Sequence, residues 1–184
     1  MNRDIILVLV AIVSGTAATV LSLFANSETW FRVPDAPGNP TIGLWEICRS
    51  NLRDCQAVGN EGNHQYDIYL GVMVSRILII LATIFGIAYL FIVLSMAVGF
   101  TKLDFPALPA VFGGIMAFVM LLGCLCFELA VRLQVIQEAS QSVTLNQSFV
   151  DTETGWAGIC AWTSFAACVL STVIGIVIFF TRDV

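Results

Sequence analysis

The sequence predicts a membrane α-helical protein: a left-handed four-helix transmembrane bundle carrying a small extracellular antiparallel β-sheet. Three observations lead there. The chain is 58% hydrophobic and 11% charged, with mean hydropathy +0.90, whereas soluble chains carry about 25% charged residues. Four predicted spans, at about 5–24, 69–100, 109–134 and 157–180, are built on apolar runs long enough for helices across roughly 30 Å of hydrocarbon. A long polar stretch between the first two runs is rich in turn formers and short β-prone segments.

The first run is read as a retained span rather than a signal peptide. It is about 20 residues long, and its amino-terminal flank sets only Arg3 against Asp4. The first loop, about 25–68, is punctuated by Pro34, Pro37-Gly38, Asn39-Pro40, Gly59-Asn60 and Gly62-Asn63. Between these turns lie four predicted strands: Thr29–Val33, Thr41–Cys48, Leu52–Val58 and His64–Tyr69. The second and third spans follow, joined by a tight inner turn.

The second loop, about 135–156, offers a fifth strand. From Val143 to Phe149 apolar and polar residues alternate, the pattern of a half-buried strand. That alternation puts Asn146, in the sequon Asn146-Gln147-Ser148, on the wet face, where a glycan is tolerated. The fourth span then closes a single domain, 1–184, without internal repeats.

Four spans place both termini on one side. Arg3, Lys102 and Arg182 crowd the short inner segments, while Arg32, Arg49 and Arg53 are spread over a much longer loop. The basic-residue density therefore puts both termini in the cytoplasm. Within the spans, small residues recur at helical spacing: Ser14 with Ala18, Ala82 with Gly86, Gly113 with Ala117, Ala157 with Ala161. Lipid gives no hydrophobic drive between helices, so close backbone approach at such pairs holds a bundle together.

Catalysis finds no support. The chain has one histidine, no carboxylates paired on a helical face, no Gly-rich phosphate loop and no Cys-His spacing, so nothing assembles a nucleophile or a metal site. No cofactor, metal or nucleic acid is expected. Cys48 and Cys55 lie in the outer loop, where the environment permits disulfides. Joined, they close a short hairpin and stabilise it by roughly 2–3 kcal/mol. A metal site is the competing use, but neither cysteine has a CxxC partner. The other four (Cys124, Cys126, Cys160, Cys168) sit in spans as small apolar packers.

The most specific string is Trp30, then Gly43-Leu44-Trp45, then Cys48 and Cys55, all within the first loop. It resembles the claudin family, within the wider superfamily of peripheral myelin protein and the calcium-channel gamma subunits. The resemblance covers most of the chain. Leu70–Ile80 looks like the claudin entry to the second span, with Arg76 at the family's arginine. Gln134–Glu138 resembles the exit from the third span, and Gly155-Trp156-Ala157 the entry to the fourth. It implies that the tryptophans wedge the sheet against the bundle. A buried arginine needs a partner, and Asp67 and Glu128 are the candidates. Glu128 and Arg132 also stand acid-first at i, i+4, the favourable order on a helix.

Departures qualify the resemblance. The two cysteines are closer together than is usual in claudins, and Ala139–Ser142 lacks the usual aromatics. At the end, Arg182 stands where a scaffold-domain ligand wants Ser or Thr, so scaffold binding by the C-terminus is not expected.

The resemblance implies a plasma-membrane protein at cell–cell junctions. Its partners are membrane lipid and itself or related claudin-like proteins, in cis and in trans, shaping a paracellular barrier or pore. The alternatives are an auxiliary, gamma-like subunit bound to an ion channel or receptor, and a myelin-like membrane organiser. Both loops are acidic. The first carries Glu28, Asp35, Glu46, Asp54, Glu61 and Asp67 against three arginines, and the second carries Glu138, Asp151 and Glu153 alone. Carboxylates along a confined aqueous path favour cations. The candidates for charge selectivity are Asp54, Asp67 and Gln56. Gln56 follows the second cysteine, where claudins most often set selectivity.

Overall fold

A computed structural model describes residues 3–27, 29–32, 41–49, 54–57, 66–98, 107–141 and 153–182. Four long helices, α1 (Arg3–Ser27), α2 (Tyr66–Val98), α3 (Leu108–Gln141) and α4 (Trp156–Arg182), pack in a ring in chain order, with α1 also against α4. Each contains a stretch of 22 to 29 residues apolar enough to cross a membrane. Five short strands sit at one end: β1 (Thr29–Arg32), β2 (Thr41–Gly43), β3 (Glu46–Arg49), β4 (Asp54–Ala57) and β5 (Glu153–Thr154). They form one antiparallel sheet in the order β4-β3-β2-β1-β5.

Several predicted boundaries are corrected. The segment Thr41–Cys48 is two strands rather than one, folded back at Leu44-Trp45 so that Thr41 faces Cys48 and Ile42 faces Ile47. The described part of the predicted strand His64–Tyr69 is helical, because α2 begins at Tyr66. Strand preference of Tyr and Ile is weak and contextual, and here the helix ladder extends through them. The helix of the third span runs on beyond the predicted span, to Gln141. Residues 124–141 contain neither Gly nor Pro and many good helix formers, so nothing stops it. The fifth strand is found at Glu153–Thr154. The predicted strand Val143–Phe149, with Asn146, lies outside the described residues.

All four small-residue pairs turn inward. Ser14, Ala18, Ala82, Gly86, Gly113, Ala117, Ala157 and Ala161 are buried between helices. A methyl group on Gly86 would meet the Thr19 hydroxyl at 2.5 Å, and one on Gly113 would meet the Thr172 backbone at 3.2 Å.

Hydroxyl groups tie α1 to its neighbours. Ser22 and Thr83 lie 2.9 Å apart, Ser171 donates to the Ser14 hydroxyl at 2.9 Å, and Ser164 donates to the Ala18 carbonyl at 2.7 Å. Each such bond in lipid contributes about 0.6 kcal/mol. Bulky apolar side chains such as Leu9, Ile84, Phe91, Phe118 and Phe180 point outward, as lipid-facing surfaces require.

Candidate functional site: the sheet and its seat on the bundle

Trp30 is the joint between sheet and bundle. Its indole N–H donates to the Ala25 carbonyl at 2.7 Å, satisfying one of the carbonyls that a helix end leaves orphaned. Its ring lies 4.6 Å from that of Phe127 on α3. Its own carbonyl accepts the Gly155 N–H at 2.6 Å, at the start of α4. One fully buried residue therefore touches three helices.

A register shift in β1 between Thr29 and Phe31 makes this possible. In regular pleat, neighbouring residues point to opposite faces. A bulge re-aims side chains, so both Trp30 and Phe31 reach Phe127, with Phe31 stacked at 5.9 Å and 11°.

The turn between β2 and β3 provides the second anchor. Leu44 is buried in the bundle core, and its carbonyl accepts a hydrogen bond from Arg76 Nε on α2. The same guanidinium lies 4.7 Å from the Trp45 ring centroid, a cation–π contact that favours arginine over aromatic faces. The Trp45 indole N–H donates to the Asn26 carbonyl at 2.8 Å. Two tryptophans thus cap successive carbonyls at the end of α1. The guanidinium therefore serves the hairpin turn.

Close backbone approach fixes α4 against β1. A methyl group on Gly155 would collide with the Thr29 carbonyl, and one on Gly158 would sit 3.1 Å from the Trp30 carbonyl and 2.9 Å from Thr154 Cγ2.

Register assigns the faces of the sheet. Phe31, Ile42, Ile47 and Gln56 occupy aligned positions. The burial of Ile42 and the Phe31–Phe127 stack turn that face towards the bundle on β1 and β2. Arg32, Thr41, Cys48 and Cys55 align on the other face. Cys48 stands directly opposite Cys55. Two of the first loop's arginines stand opposite acids, Arg32 facing Glu153 and Arg49 facing Asp54, whereas exposed Glu46 stands opposite uncharged Ala57. Asp67 lies in the first turn of α2.

The tryptophans, Leu44 and Arg76 were legible as a motif, and the structure brings them together. Asn26, Phe31, Phe127, Glu153, Gly155 and Gly158 were not assigned a role in the sheet from sequence. The Gly-x-x-Gly at the entry to the fourth span was their one visible signal. Among the described residues, no three or more His, Cys, Asp or Glu side chains cluster as metal ligands would.

The family model described as the PMP-22/EMP/MP20/Claudin family matches residues 4–177, so the chain belongs to that family, which is not one of enzymes. No curated protein matches the chain.

Proposed function

From membership of the PMP-22/EMP/MP20/Claudin family, we propose that this protein works at cell–cell contacts of the plasma membrane through its extracellular sheet. It adheres and assembles laterally there, shaping a paracellular barrier or pore, with both termini cytoplasmic. The observation that carries the reading is the mounting of the sheet. Strands from both loops form one platform, hydrogen-bonded to α1, α2 and α4 and stacked on α3. A surface held this firmly keeps its shape when it meets another copy, which limits the ordering cost of association. Its outward face carries Arg32, Thr41, Glu46 and Glu153, polar groups suited to a wet contact.

A disulfide between Cys48 and Cys55 belongs to this reading. The direct β3–β4 register supports it. Directly opposite residues on antiparallel strands have Cα atoms about 4.5–5.5 Å apart, inside the range a disulfide spans. The reading also includes a glycan on Asn146 and a preference for cations.

The deciding experiment is expression in cells that lack junctions, followed by freeze-fracture imaging. Continuous intramembrane strands are expected at contacts. Scattered particles that co-purify with a channel would instead establish the auxiliary-subunit role.

A further inference from the structure

We draw no further inference here: the strongest candidate, the exposed apolar patch of Leu70, Met73 and Val74 on α2 and Leu129 on α3 beside the close approach of Gly71 to Ala130, is an unpartnered face, and nothing in the structure shows what covers it.

Discussion

Trp30 illustrates why a residue's type and its role are separable. Its indole N–H, ring and backbone carbonyl each meet a different helix. Trp30→Phe keeps most of the ring but leaves the Ala25 carbonyl unsatisfied in a buried place, which costs about 1–3 kcal/mol. Unfolding in a graded denaturing detergent should show a loss of that size. An unchanged midpoint would mean that the indole bond is not a stabilising one. Arg76→Lys keeps the charge but not the planar group over Trp45. It should expose the indole, read as a red shift in tryptophan emission, with the helices intact by circular dichroism. The sequence singled out Trp30, Trp45 and Arg76 because they fall on the positions of the claudin-like signature. It could not show that Trp30 and Trp45 take neighbouring carbonyls, because backbone acceptors leave no mark in residue type.

Elements were easier to recognise than their ends. The four spans were plain from apolar length alone, but α3 continues past the apolar run on helix propensity. Fold-back at Leu44-Trp45 was not legible, since its cause lies in the core that buries Leu44 and in Arg76, 32 positions along the chain. The α4–β1 junction makes a sharp prediction. Gly155→Ala forces the Thr29 carbonyl away and should release β5 with the second loop. Hydrogen exchange at the Gly155 amide and across β1 is expected to speed up about tenfold or more, while the bundle stays protected. Equal exchange in both proteins would count against the junction. Cys48→Ser tests the other edge of the sheet. It should lower stability by about 2–3 kcal/mol and reduce the protein at the cell surface, and mass mapping that found both thiols free would remove the proposed bond.

For the whole molecule, charge must be weighed by position rather than by sum. The two loops have an acidic excess, but Asp54 faces Arg49 and Glu153 faces Arg32 across the sheet. If the protein lines a paracellular path, dilution potentials across an epithelial sheet should show a preference for sodium over chloride. Asp54→Asn removes one anion from the first loop, so the preference should fall. Equal permeabilities, unchanged by the substitution, would sink the pore. Lateral partners are constrained as well. The four small-residue pairs lie inside the bundle, so they are already used within the protein and are not offered to another one.

The keystone position of Trp30 also bears on how the molecule comes apart. A platform resting on a bundle through a few flexible links would melt first and leave the helices standing. Here one buried side chain joins both layers, and the outer core cluster mixes Trp30, Ile42 and Leu44 from the sheet with Ile79, Met120 and Phe127 from the helices. The two layers share a single cooperative transition, so tryptophan emission and helical ellipticity should fade along the same curve.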